Sequence, residues 1–411
     1  MRICFLLHQG NMYSGGQGVY LAALSSEYVE RGHEVHAIVG PPYPDLHPGV
    51  IQHRLEGWST FRLLETGDHF WRRPSREYFS PLNFYELASS RAGMFSVMSA
   101  FSLRAFEALA RLHAARSFDV VHDNQSLGYG DLLAKLLGVP VVANIHHPLS
   151  IDRANAVRQA STLRAKVGRV LFYPLHMQHV VAHGLDRVIT GSHASARSVM
   201  RAFRLPEDRV TAIHDGVDVS LFRPLRLERE RGRVLFVGNS DDRNKGVRYL
   251  VEALAMLPDP HWKLVIVDRA DAVVARERAH RLGVSSRVIL TGRLSRQELA
   301  REYNRAAVFV SPSLYEGFGL PAAEAQACAA PVVATRAGAL PEVVADGKSG
   351  ILVPPGEACA LAEAISRLLD DRSMAMSLGQ EAAARIQRDF TWSRTADRTL
   401  DLYDEVRHPR R

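Results

Sequence analysis

Cysteine is scarce in this chain of 411 residues: Cys4, Cys328 and Cys359 stand far apart. That excludes a disulfide framework and a Cys-rich metal site, and it suits a reducing compartment. Long apolar runs are missing too. No stretch approaches the ~18 residues of a membrane-crossing helix. The most apolar segment, 170–185, is interrupted by Pro174, His176, His179 and His183. The opening run, Arg2 to His8, is too short for a secretory leader and reads as a first strand. These absences lead to the expectation of a cytoplasmic protein. Lysine occurs only at positions 135, 166, 245, 263 and 348 among 51 basic residues. A net charge of +7 fits an anionic substrate, and also peripheral contact with the inner face of an anionic membrane. The arginines are dispersed, and there is no helix-turn-helix, zinc or RNA-binding pattern, so nucleic acid is not an expected partner.

What is present is an ordinary globular composition, 46% hydrophobic and 23% charged, in a chain longer than one core usually organises. Strand-like runs at 3–8, 34–40, 118–124, 141–145 and 187–191 alternate with helical patterns. A second series begins at Arg233 and continues at 263–267, 288–291, 308–311, 332–334 and 351–353. Such alternation predicts parallel sheets covered by helices, hence an α/β fold of two doubly wound Rossmann-like domains facing across a cleft. The expected domains are 1–215 and 225–390, with a final helix at about 392–408 returning to the first. Ligands of such sheets bind beyond the carboxyl ends of the strands. Residues 52–100, with Trp58, Phe70, Trp71, Arg72, Arg73, Tyr78 and Phe84, break the rhythm. They read either as an acceptor-binding insertion or as a lid packed on its own aromatics.

The richest segment is Ser311 to Glu324, a strand end, a loop with Gly317 and Gly319, and a helix start marked by Pro321. Free backbone N–H groups and the helix dipole make this an anion site. Two acids beside it, Glu316 and Glu324, need partners of their own. A sugar nucleotide supplies them, because its vicinal hydroxyls can each donate to a carboxylate while its diphosphate takes the N–H groups. Both acids being solvated near a helix start is the other reading. Two further loops join strands to helices. One holds Gly15 and Gly16, but lacks the G-x-G-x-x-G spacing and the downstream acid of a nicotinamide site. The other, Gly238 to Gly246, carries Lys245 and Arg243, either phosphate-neutralising or solvated. His146 ends the strand at 141–145, placed for a substrate hydroxyl or for packing in its loop.

Together these segments resemble the retaining GT-B glycosyltransferases of family 4 over nearly the whole chain. The most specific likeness is the E-x7-E motif, Glu316 to Glu324, continued by Ala325 to Thr335, Gly338 to Glu342 and Asp346 to Gly350. Gly216-Val217-Asp218 and Phe390-Thr391-Trp392 are also similar. The resemblance implies transfer of a hexose from a nucleoside-diphosphate sugar, with GDP-mannose and UDP-glucose as leading donors. The acceptor hydroxyl would belong to a saccharide or glycolipid, and the product would be an α-glycoside. It assigns catalytic roles to His146, Lys245 and Glu316. Donor contacts fall to Gly15, Gly16, Asn239, Arg243, Leu294, Phe318, Gly319, Leu320 and Glu324. Lys245, Arg243 and helix N-termini would take the place of a divalent metal, so no cofactor and no metal are expected. Two departures stand out. Asn239 occupies a position where the family usually has arginine, and Asp268-Arg269 replaces a glycine-rich turn. A sugar-nucleotide epimerase, a phosphorylase, or a binding subunit without turnover are the alternatives on the same plan.

Overall fold

The computed structural model describes residues 1–12, 16–56, 80–91, 96–150, 153, 157, 162–172, 174–259 and 261–408. Two all-parallel sheets organise them. The first contains β1 (Arg2–Leu7), β2 (Glu34–Val39), β3 (Ile51–Arg54), β4 (Val120–Asn124), β5 (Val141–Asn144), β6 (Arg187–Thr190) and β7 (Val210–Ala212). Its strand order is β3-β2-β1-β4-β5-β6-β7. The second contains β8 (Arg233–Val237), β9 (Lys263–Val267), β10 (Val288–Leu290), β11 (Val308–Ser311), β12 (Val332–Thr335) and β13 (Ile351–Val353). Its order is β10-β9-β8-β11-β12-β13. The chain divides into two compact units, Met1–Gly191 with Ala196–Ile213 and Ala396–Arg411, and Ser192–Ser195 with His214–Thr395.

The central strands β1, β4, β5 and β11 are buried along their whole length. Parallel strands covered on both faces read as near-continuous apolar runs, which is why they are visible in the sequence. The second sheet shows this residue by residue. Leu235, Val265 and Phe309 enter the core on one face. Their neighbours Val234, Phe236, Leu264, Ile266, Val308 and Val310 enter the core on the other, as the two-residue strand period requires. Two strands escape the sequence pattern, β3 and β7. Both are short and lie at the ends of the first sheet, and β3 reads Ile-Gln-His-Arg with neither face fully buried.

The segment 170–185 forms parts of two helices, Leu163–Phe172 and Leu175–Gly184, with Pro174 capping the second. Of the aromatic residues at 52–100, Phe84 lies exposed in the helix Pro81–Arg91. Trp58, Phe70, Trp71, Arg72, Arg73 and Tyr78 fall outside the described residues. In the first unit, Tyr403 of the final helix Trp392–Arg407 is buried with its hydroxyl at His122 Nδ1, and Arg407 pairs with Asp119 at 2.8 Å.

Each sheet has one place where the strand order reverses, between β1 and β4 in the first and between β8 and β11 in the second. Loops leaving the carboxyl ends of such neighbours diverge and open a crevice for ligand.

Asp215, at the start of the second unit, is buried, and its Oδ1 has no hydrogen-bond partner among the described residues. Burial pushes its pKa up to about 7. The folded chain therefore keeps a proton there that the unfolded chain loses near pH 4. This stabilising contribution is present at low pH and is lost as pH rises from about 4 to about 7. Asp215→Asn is accordingly expected to stabilise the protein by up to about 4 kcal/mol at pH 8 and not at all at pH 4. Urea denaturation at the two pH values checks this.

Candidate active site

Lys245 and Glu316 meet at the reversal point of the second sheet. Beyond β8 the chain turns at Gly238, and Asp242 accepts a hydrogen bond from the Asn244 N–H at 2.9 Å to start the short turn Arg243–Lys245. Gly246 ends the turn at φ 66°, and a Cβ there would lie 2.0 Å from the Pro312 carbonyl oxygen. Only glycine lets this turn rest on the segment following β11. The Leu314 N–H donates to the Asn244 carbonyl at 2.6 Å and locks the two loops together. As a result the Lys245 ammonium sits 2.8 Å from Glu316 Oε1, which also accepts from the Ser313 hydroxyl at 2.8 Å. Burial pulls the Lys245 pKa down, but the Glu316 carboxylate outweighs it and the net shift is upward. The ammonium is firmly charged.

The main chain of Glu316 is fixed as well. Its carbonyl accepts from the Ala339 N–H at 3.0 Å. Gly338, at φ 56°, passes so close that a Cβ would stand 2.1 Å from the same oxygen. Glu324 lies in the second turn of the helix Leu320–Ala327, half-buried, with one oxygen accepting from the Tyr303 hydroxyl at 2.9 Å. Burial raises its pKa to about 7, against the opposing pull of the Tyr303 hydrogen bond and of Arg296. Tyr303 itself is fully buried in the helix Arg296–Arg305. Removing its hydroxyl in Tyr303→Phe is expected to raise the Glu324 pKa. The resemblance assigns Glu324 to the donor, so the pH midpoint for nucleotide binding should then move up by about one unit, since a hydrogen bond to a charged group contributes ~1.5–3 kcal/mol. Isothermal titration from pH 5.5 to 9 reads the shift.

The remaining positions expected to contact the donor divide into anchors and exposed groups. The Phe318 side chain is buried in the core, 6.2 Å from the His214 ring and 6.0 Å from Phe390. Its side chain is therefore an anchor for the loop. Gly319 adopts φ 98° at the helix start, with Leu320 half-buried beyond it and Pro321 in the first turn. Leu294 packs half-buried on the same core, after Gly292 at φ 78°. Asn239 is exposed and accepts the Asp241 N–H on its own side chain at 3.1 Å, and Arg243 is exposed on the turn. Asp268 has a clear role. One of its oxygens takes both the N–H and the hydroxyl of Ser240 at 2.6 Å, and the other takes the Arg269 N–H at 2.7 Å, which pins the Gly238 loop from the end of β9.

In the first unit, Gly15 falls outside the described residues. Gly16, at φ 72°, precedes the helix Gln17–Glu30, and its carbonyl accepts from the Tyr20 N–H at 2.8 Å. His146 follows β5. Its Nε2 lies 2.8 Å from Asn124 Oδ1, its N–H donates to Gln125 Oε1 at 2.8 Å, and its ring meets Tyr20 edge-on at 5.2 Å. Burial, and then the charge of His147, lowers its pKa to about 3. It is a neutral hydrogen-bonding group at ordinary pH rather than a cation.

Sequence reasoning treated Lys245 and Glu316 as separate partners of phosphate and sugar, and the structure joins them in one ion pair. It gave no role to Tyr303 or Ser313, and it noted Asp268 only as the loss of a glycine-rich turn. Ser313 stands three residues before Glu316, a spacing that offers a local signal. Tyr303 and Asp268 carry none, because they come from other strands and helices.

Comparison with known proteins decides the class of this arrangement. A family profile described as Glycosyltransferase Family 4 matches residues 14–221, and one described as Glycosyl transferases group 1 matches residues 220–385. A relative named MMP alpha-(1->4)-mannosyltransferase, from Mycolicibacterium hassiacum, is 37% identical over 410 residues, covering 99% of this chain and 98% of its own. The chain belongs to glycosyltransferase family 4. A D-inositol 3-phosphate glycosyltransferase from Xylanimonas cellulosilytica is 31% identical over 425 residues, covering 96% of this chain and 92% of its own. Among solved structures, sucrose-phosphate synthase from Thermosynechococcus elongatus superposes with a TM-score of 0.72 at 25% identity, covering 99% of each chain.

This family 4 member has the GT-B fold, and membership implies the retaining class. It is a hexosyltransferase that uses a nucleotide-sugar donor, so the epimerase, phosphorylase and binding-subunit alternatives give way. No helix among the described residues is long and apolar enough to cross a membrane.

Proposed function

We propose that this glycosyltransferase moves mannose from a nucleoside-diphosphate mannose, with guanine as the leading base, to a hydroxyl of a saccharide acceptor, forming an α-glycosidic bond. The observation that carries the site assignment is the Lys245–Glu316 ion pair at the β8/β11 reversal, with the half-buried Glu324 in the helix that follows β11. The full-length mannosyltransferase relative supports the sugar.

In this reading the Lys245 ammonium turns from Glu316 alone to share itself with the donor diphosphate. It stabilises the negative charge that grows there as the glycosidic bond breaks. Glu316, held by Ser313 and Ala339, accepts hydrogen bonds from the hydroxyls of the sugar. Glu324 accepts those of the ribose, and the N–H groups of Phe318, Gly319 and Leu320 hold phosphate oxygens at the helix start. His146, neutral, contacts the sugar near its reacting carbon. The transition state is oxocarbenium-like, and the departing phosphate oxygen takes the acceptor proton on the face from which it leaves. Placement and charge stabilisation supply the acceleration.

The test is a panel of nucleotide sugars scored for donor hydrolysis and for thermal stabilisation, followed by proton NMR of the product with a mannose-oligosaccharide acceptor. The expected result is preference for GDP-mannose and an α-anomeric signal. Preference for UDP-glucose would replace the donor and leave the site intact, whereas a β-linked product would contradict the mechanism.

A further inference from the structure

Away from the donor-side acids, three ligating side chains converge in the second unit. His214 Nε2 lies 2.9 Å from Glu342 Oε2, and the His193 ring stands 5.5 Å from the His214 ring at 74°. One ligand atom from each of His193, His214 and Glu342 falls within 4.8 Å of the others, and among the described residues no other group of three does so. We propose that these residues form a binding site for one zinc-class divalent cation, distinct from the donor site.

Geometry is the main argument. In a tetrahedral zinc site with bonds of about 2.0–2.1 Å, ligand atoms stand about 3.3 Å apart. The present spacing of 2.9 Å needs only a small opening at the His214–Glu342 contact, with His193 closing in. The donor set is also selective. Two imidazoles and one carboxylate suit zinc, cobalt or nickel, whereas magnesium and calcium prefer oxygen ligands throughout. A fourth position stays open for water.

The surroundings already hold the ligands in place. The Glu342 carboxylate accepts the N–H groups of His193 at 2.9 Å and Ala194 at 2.7 Å. These bonds orient it while leaving lone pairs for a cation. The His214 ring is held against Phe318 and Phe390, at 6.2 and 5.3 Å. His193 is exposed, which gives the ion a way in. The site also borders the donor loop. Ser192 and Ser195 donate their hydroxyls to the Gly317 carbonyl at 2.6 and 2.9 Å, next to Glu316. A bound ion therefore ties residues 192–195 to both flanks of that loop, through Glu342 on one side and His214 beside Phe318 on the other.

Cobalt(II) titration of the full chain, first stripped with chelator, tests the proposal. One equivalent is expected to give the visible bands of four- or five-coordinate cobalt, displaced by one equivalent of zinc, with a rise in melting temperature. His193→Ala, at an exposed position that leaves the core untouched, and His214→Ala are each expected to weaken cobalt binding at least tenfold. His179→Ala should leave it unchanged. Absence of one-equivalent binding overturns the proposal. So does binding that survives both His193→Ala and His214→Ala, because it would place the metal at another pair, such as His36 with His53 or His179 with His183.

Discussion

Lys245→Ala is expected to lower kcat by about 10²–10³-fold, the usual effect of removing one group aimed at charge developing in a transition state. Among the described residues Lys245 is the cation paired with Glu316. Arg243 sits exposed on the same turn, and Asn239 folds back on its own loop. The donor KM should change only a few-fold, because the proposed diphosphate contacts with the N–H groups at the start of the helix Leu320–Ala327 remain. Loss of the cation also leaves the Glu316 carboxylate held by the Ser313 hydroxyl. The variant should therefore be checked for its melting temperature and for donor affinity by calorimetry. A folded, donor-binding variant with unchanged kcat would remove Lys245 from the mechanism.

Glu324→Gln is expected to weaken binding of the free nucleoside diphosphate by about 10²-fold, since each hydrogen bond to a charged acceptor contributes ~1.5–3 kcal/mol. Inorganic pyrophosphate, which has no ribose, should bind the variant and the wild type alike. The pH dependence adds a second signature. With a pKa of about 7, the Glu324 carboxyl of the free protein is largely protonated at pH 6 and ionised at pH 8. Wild-type affinity should rise across that interval, and Glu324→Gln should show no such rise. Equal affinity of the two proteins at pH 8 would reject ribose recognition by Glu324.

Much of this arrangement is legible in the sequence because parallel strands buried on both faces leave unbroken apolar runs. Five of the six strands of the second sheet are visible for that reason, down to β11 and the loop that follows it, whereas β10 is an apolar run with Ile289 exposed. The edge strand β3 is not, since a polar, partly exposed tetrapeptide has no periodicity to betray it. At the site, the glycine loops and the paired glutamates stand out because backbone approach and vicinal hydroxyls demand particular residue types at particular spacings. What those residues touch is another matter. The contact of Lys245 with Glu316 depends on Gly246 clearing the Pro312 carbonyl, and on Gly338 clearing that of Glu316. The setting of Glu324 depends on Tyr303, in a helix that precedes β11. Asp268, which looks in the sequence like the loss of a glycine turn, gains a hydrogen-bonding role toward Ser240. Pairings made across a sheet leave no local trace in the chain.

The central claim is that the loops after β8 and β11 hold the donor. A crystal structure with a nucleoside diphosphate bound tests it most directly. The account predicts the outer phosphate within hydrogen-bond distance of Lys245 Nζ and of the N–H groups at Phe318 to Leu320, with the ribose hydroxyls on the Glu324 carboxylate. A nucleotide seated elsewhere, with Lys245 still paired to Glu316 alone, would contradict it.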